Sequence, residues 1–276
     1  MIVRNKKLTM EKIEGRGEEK LMIKGLYTAA TGMNVQSKKM DVISNDLANV
    51  NTTGYKKDTT VITSFQETLM KRINDMQHNQ PNNGRIGSMS LGAKVAEVYT
   101  QFTQGSVRNT GEITDLAIQG DGFFVVNTPN GEAYTRDGNF SINQNGDLVT
   151  SEGYSVMGQA GAISFGEDFL SQGGNVVIKE NGEVYLDSEY IDTLDLANFA
   201  DTRALTKMND NLYSSTAPRT EFTGSLIQGF LETSNVNSVT AMVDMITVSR
   251  AYEANQKVLQ THDTLLGKAV NDLANV

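Results

Sequence analysis

The sequence predicts an α+β fold: N- and C-terminal helices that pair as a coiled coil, with a central β-rich hairpin domain between them. Three observations predict it. Near both ends, apolar residues recur at alternating steps of three and four, the spacing of a coiled-coil seam. Between the ends the pattern changes to short alternating runs broken by turns, and Asn-Gly, the strongest short hairpin signal, recurs there at Asn130, Asn145 and Asn181. Glycine is plentiful at 25 and proline scarce at 3, which suits turns between strands better than an open Pro-rich linker.

Residues 1–21, "MIVRNKKLTMEKIEGRGEEKL", are charged and show no apolar period, so disorder is expected there. An alternative is that they precede the true start at Met22, since "RGEEK" is what a purine-rich ribosome-binding site would encode. Residues 22–57 read as a coiled-coil helix and its exit turn. Leu26, Ala29, Met33, Gln36, Met40, Ile43, Leu47 and Val50 form the seam, with Gln36 its polar member. A helix from Met22 to Val50 would span about 43 Å. Gly54 suits the left-handed residue that ends a helix.

The polar residues of "DVISNDLANVNTTGYKK" are unusual for a helix surface. Asn45, Asn49 and Asn51, with Ser44, Thr52 and Thr53, are weak helix formers that compete for backbone hydrogen bonds. On a flank that meets another subunit they would supply short groups that donate and accept without charge. Packing would then make up for their poor propensity.

Residues 58–92 read as a helical segment followed by a linker. Ile62, Phe65, Leu69 and Ile73 sit at helix-compatible positions, and Pro81, Asn82, Asn83, Gly84, Gly87 and Gly92 then break the pattern. Residues 93–224 form the β-rich domain. Within it Gly120, Asp121 and Gly122 make a turn feeding a buried strand that begins at Phe123 and Phe124. Residues 225–276 carry the second coiled-coil helix, its period clear from Asn235. Met245, Tyr252, Leu259, Leu266 and Leu273 recur every seven residues, and Val248, Asn255, His262 and Ala269 fill the alternate seam positions.

Chemistry has little to work with. The net charge of −9 gives no basic footprint for nucleic acid. No apolar run approaches the length needed to span a membrane, and residues 1–21 lack the apolar stretch of a secretory signal. Without cysteine there are no disulfides, thiolate metal sites or Cys nucleophiles. The two histidines, His78 and His262, lack metal-ligand spacing, and His262 falls on the seam. "GSMSLGAK" misses the phosphate-binding pattern, because Ala93 intervenes before Lys94 and Val95 replaces the hydroxyl. "NQNGD" lacks calcium-loop spacing. We therefore expect no enzyme, no cofactor, no metal and no small-molecule substrate. The positive features are the two seams. They lie at opposite ends of the chain, both are heptads, and both contain amides where a monomer core would carry Leu. Polar seam residues fix register and partner at a cost in stability, which points to an ordered assembly.

Three stretches carry a resemblance. "GLYTAATGMNVQSKKMDVISNDLANVNTTGYKK" resembles the N-terminal signature of bacterial flagellar basal-body rod and hook proteins. "QGSVRNTGEITDLAIQGDGFFVV" and "AYTRDGNFSINQNGDLVTSEGYSVMG" resemble the central segment of that family. "QGFLETSNVNSVTAMVDMITVSRAYEANQKVLQ" resembles its C-terminal signature. The resemblance implies a structural subunit of the rod that partners itself and other rod and hook proteins. It implies passage through the flagellar type III export apparatus without a cleaved signal, and helical assembly with the terminal helices as an inner tube and the β domain outside. Tyr55 and Arg250 fall inside the signatures and join the implied assembly set. The compact middle segment leans toward the proximal rod type, whereas "NTGEITDLAIQGDGFF" is shared with the distal type. The reading from another class is an extracellular, adhesin-like binding module oligomerised by its coiled-coil ends.

Overall fold

The computed structural model describes residues 2–71, 76–77, 80–81, 85–166, 169, 173–209 and 211–274. They divide into two compact units. One comprises Met1–Ser44, Thr60–Val98 and Met242–Val276; the other comprises Asn45–Thr59 and Tyr99–Ala241.

The first unit is built on two long helices. The N-terminal helix runs over Ile2–Ala48. It therefore includes residues 2–21, within the stretch where disorder was expected. Those residues lack an apolar stripe, but they are rich in Lys, Glu, Arg, Leu and Met, all strong helix formers. Periodicity reports packing, not propensity. The C-terminal helix runs over Ser238–Ala274. Its start is set by Asn237, whose side-chain oxygen accepts from the backbone N–H groups of Val239 (3.0 Å) and Thr240 (3.1 Å).

The segment expected to be helical after residue 58 is instead extended. Asp58–Ser64 pairs with Ala93–Thr100, and Thr68–Lys71 lies antiparallel to Arg85–Met89, with Thr68 opposite Met89. Thr59, Thr60, Val61, Ile62 and Thr63 form a β-branched run that favours strand, and a step of three or four over so short a stretch does not discriminate. Arg85–Met89 also turns part of the expected linker into strand. Ile73, His78 and residues 82–84 lie outside the described residues.

In the second unit, Phe123–Thr128 lies at the heart of the largest sheet. It pairs with Gly131–Thr135 on one side, and with Ser155–Val156 and Leu196–Ala197 on the other. Phe124 and Val126 join one core cluster with Leu116, Ile118, Leu148, Val156 and Ile163. Phe123 and Val125 face a second cluster with Tyr134, Phe199 and Tyr213. A strand buried on both faces reads as a continuous apolar run, which is how "GFFVV" reads. Strands also continue past residue 224, where the second helix was expected to begin. Ser225–Gln228 pairs with Leu116–Gln119, and Phe230–Glu232 with Val107–Asn109. Gly229, at φ 78°, separates the two strands in a conformation that favours glycine.

Candidate assembly interface

The N-terminal helix ends in a compact polar turn. Asn49 Nδ2 donates to the carbonyl of Asn45 (2.9 Å), and Thr52 Oγ1 donates to Asn49 Oδ1 (3.2 Å). The Tyr55 hydroxyl lies 2.8 Å from Asn45 Oδ1 and 2.9 Å from Asp46 Oδ1. The backbone N–H of Asp58 also donates to Asp46 Oδ1 (3.1 Å). Asn45 and Asn49, which looked out of place, thus have partners within the chain, where they hold the last helical turn against the exit, while Asn51 is exposed in the turn. Asp46 is buried, and its Oδ2 has no hydrogen-bond partner. Burial raises its pKa above the usual carboxylate value, only partly offset by the donors from Asp58 and Tyr55.

Gly54 closes the turn at φ 64°, and its N–H donates to the carbonyl of Glu232 (2.8 Å). A side chain there would run into the backbone of Arg136 and Asp137. Next to it lies a buried charge cluster that sequence reasoning missed. Lys56 Nζ donates to Glu232 Oε1 (2.6 Å) and to the carbonyl of Thr103 (2.9 Å). Arg136 reaches Glu232 Oε2 (3.4 Å) and the carbonyl of Gly120 (2.8 Å). The N–H of Gly105 donates to Glu232 Oε1 (2.7 Å). All three charged side chains are at most 2% exposed. Burial pulls the pKa of Lys56 and of Arg136 down, and the Glu232 carboxylate opposes this in both. The cluster ties chain positions 56, 136 and 232 to one point. The signal that could have found it is Glu232 itself, a charge following the apolar pair Phe230–Leu231.

The expected β-domain turn is where that cluster meets the core. Gly120 (φ 101°) carries the carbonyl that Arg136 holds, Asp121 follows, and Gly122 leads directly into the buried Phe123 and Phe124.

Along the N-terminal helix, Leu26, Met33, Met40, Ile43 and Leu47 are half-buried and Ala29 is buried; Val50, expected in the seam, is half-buried in the turn that follows Ala48. On the C-terminal helix, Met245, Asn255, Leu259, His262, Leu266 and Ala269 are half-buried and Val248 is buried, while Tyr252 and Arg250 are exposed. The side chain of Leu273 lies outside the described residues. Apart from Tyr252, the seam is the more covered stripe of the C-terminal helix, whereas on the N-terminal helix Val35 and Asp46, both off the seam, are buried as well. The C-terminal helix also presents a second apolar stripe that the heptad reading did not single out. Val239 (68% exposed), Met242 (51%), Val243 (57%) and Ile246 (54%) follow one another at helical spacing. At 100° per residue they lie on the side opposite the seam. The helical unit also carries an open apolar groove of about 600 Å³, lined by Val35, Phe65, Val95 and Val98 among others.

Comparison with known proteins places these features in sequence space. Residues 26–56 match the family profile "Flagella basal body rod protein", residues 117–186 "Flagellar hook protein FlgE/F/G D1 domain", and residues 227–273 "Flagellar basal body rod FlgEFG protein C-terminal". The flagellar basal-body rod protein FlgG of Borreliella burgdorferi is 38% identical over 275 residues, covering 91% of this chain and 98% of the relative. FlgG of Bacillus subtilis is 34% identical over 268 residues, covering 91% and 99%. The flagellar hook-basal body complex protein FlhO of the same organism is 31% identical over 276 residues, covering 92% and 100%.

Proposed function

The chain belongs to the flagellar basal-body rod protein family, and from that premise we propose that this structural rod subunit assembles through its two terminal helices, paired as a coiled coil. The carrying observation is the exposed stripe Met242, Val243 and Ile246, on the face of the helix turned away from the seam. The seam uses one side of the helix within the chain, and the stripe leaves the other side for a neighbouring copy. The apolar groove in the same unit is a different surface of suitable character to receive it. Two unlike surfaces that meet between copies make a head-to-tail contact, which builds an open helical array when the rotation between copies does not close.

The mechanism is mechanical. In the free subunit the stripes face water and the terminal segments are loosely ordered. Docking buries apolar area, at about 25 cal/mol per Å², and offsets the cost of ordering them. Growth is thereby confined to the tip, and interlocked helices transmit torque with no catalytic step. The subunit works in the basal body with other rod and hook proteins, and it reaches that place unfolded, through the export apparatus, without a cleaved signal. The relatives named above are rod and hook-basal body proteins, and none of them supports the adhesin-like alternative.

The test replaces Met242 and Ile246 with Asp in a host lacking its own copy. The expected protein keeps the thermal transition of its β-rich unit yet yields no complete basal bodies and no motility. Normal basal bodies from this variant would contradict the reading.

A further inference from the structure

The coiled-coil reading leaves one question open: what fixes the register of the two helices. The apolar seam does so poorly. Leu26, Met33, Met40 and Leu47 repeat every seven residues, as do Leu259, Leu266 and Leu273, so a slip of seven again sets apolar residue against apolar residue. Two contacts in the helical unit are not degenerate in this way. A methyl group added to Gly25 would lie 2.8 Å from Nε2 and 2.9 Å from Cε1 of His262. One added to Gly32 would lie 3.2 Å from Nδ2 of Asn255. A step of seven forward along one helix is matched by a step of seven backward along the other, so both contacts belong to a single antiparallel register. Each is a polar side chain resting on bare backbone: a methyl at Gly25 would displace the imidazole, and one at Gly32 would press the Asn255 amide aside by a few tenths of an ångström. In addition, Nδ1 of His262 is buried without a hydrogen-bond partner, so this side chain is retained at a cost.

Resting on the coiled-coil reading, we propose that His262 and Asn255, seated on Gly25 and Gly32, are the residues that determine the register of the terminal helix pair. A slip of seven in one direction sets Asn255 on Gly25, but puts Val248 on Gly32 and His262 against Glu18. A slip in the other direction sets His262 on Gly32, but puts Ala269 on Gly25 and Asn255 against Lys39. Only the observed register seats both polar side chains. The two pairs act as keys in a repeating apolar lock, buying specificity where a uniform leucine seam would leave three registers close in energy.

The chain contains no cysteine, so paired cysteines can report the register directly. Ala29 and Val258 line one small cavity with Gly25 and His262. The pair A29C/V258C therefore marks the observed register, and A29C/L265C and A29C/A251C mark the two slips. Each full-length variant replaces the host's own copy, basal bodies are purified and oxidised, and disulfides within one chain are separated from those between chains by gel mobility. With the natural seats, the A29C/V258C disulfide forms within the chain and the slipped pairs stay reduced. Adding H262A and N255A raises the slipped disulfides at least tenfold relative to the first pair. A variant that enters no basal bodies by itself is tagged and co-assembled beside the host's own copy, and the same rise is expected on the tagged chain. If the slipped pairs stay reduced in the H262A/N255A background, the register role is overturned while the helix pairing stands. If A29C/V258C links only different chains, the helices do not pair within the chain, and the coiled-coil reading falls together with this inference.

Discussion

In the β-rich unit, four consecutive apolar residues, Phe123 to Val126, are each at most 1% exposed, whereas Met242, Val243 and Ile246 of the helical unit stand more than half exposed. Both stretches are strongly apolar in sequence. The β-rich run lies in the middle of a sheet covered on both faces, so its burial is complete within one chain. The C-terminal helix carries apolar residues beyond its seam, and in the proposed assembly this exposed stripe is left for another molecule. On the proposed assembly, the same polypeptide contains a unit that the chain stabilises by itself and a unit whose stability belongs to the array. Changes to the first should act on folding, and changes to the second on assembly alone.

The largest expected effect comes from removing Glu232. Glu232→Ala leaves Lys56 and Arg136 buried without their carboxylate, a change that costs about 3–5 kcal/mol. Urea unfolding followed by tyrosine fluorescence should show it, and assembly should be lost with the fold. Next comes Gly54→Ala, which combines a left-handed backbone with a clash against Arg136 and Asp137, for a loss of about 2–3 kcal/mol by the same measurement. An unchanged midpoint would mean that the exit turn is not tied to the β-rich unit.

A smaller effect, of opposite sign, is expected at Asp46. Burial raises the folded-state pKa of Asp46, and likewise that of Asp137. A raised folded value means that the stability contributed by these groups is fully present below the ordinary carboxylate value and is lost as pH rises through the raised one. At neutral pH the buried carboxyl of Asp46 therefore contributes less to stability than it does in acid. Asp46→Asn keeps the acceptor for Tyr55 and Asp58, removes the charge, and should stabilise by about 1 kcal/mol at pH 7. Its advantage should shrink as pH is lowered toward the carboxylate range, as urea midpoints at several pH values will show. The smallest effect is expected from Asn49→Ala, which loses hydrogen bonds to Asn45 and Thr52 and should cost about 0.5–1 kcal/mol. Combined with Asn45→Ala, it sharpens the comparison. If the two amides also meet a neighbouring subunit, basal-body yield will fall by more than this stability loss explains.

Much of this organisation was legible in the chain. Steps of three and four marked both helices, because a stripe that packs must recur with the helix. Asn-Gly pairs and the run at Phe123 marked the β-rich domain. The amides near Asn49 were recognised as anomalous, but their first explanation was intermolecular, and the contacts to Tyr55 and Thr52 show a local reason that only three-dimensional proximity reveals. Residues 58–92 were misread because four apolar residues at helical steps also fit a strand, and the β-branched threonines should have carried more weight. The Lys56–Arg136–Glu232 cluster was missed because its members are 80 and 96 positions apart in sequence, and its one local sign, Glu232 after the apolar pair Phe230–Leu231, does not name its partners. The exposed stripe at Met242 was hidden by the heptad itself, since a search for one seam stops once a seam is found.

The central claim is that the chain supplies the β-rich unit with its stability and that the assembly supplies the helices with theirs. Hydrogen exchange on the free subunit and on purified basal bodies tests it most directly. Slow exchange is expected over the strands Leu116–Gln119, Phe123–Thr128 and Leu212–Ser215 in both samples, and over 242–274 fast exchange in the free subunit that becomes slow in the basal body. Equal protection of 242–274 in the two samples would contradict it.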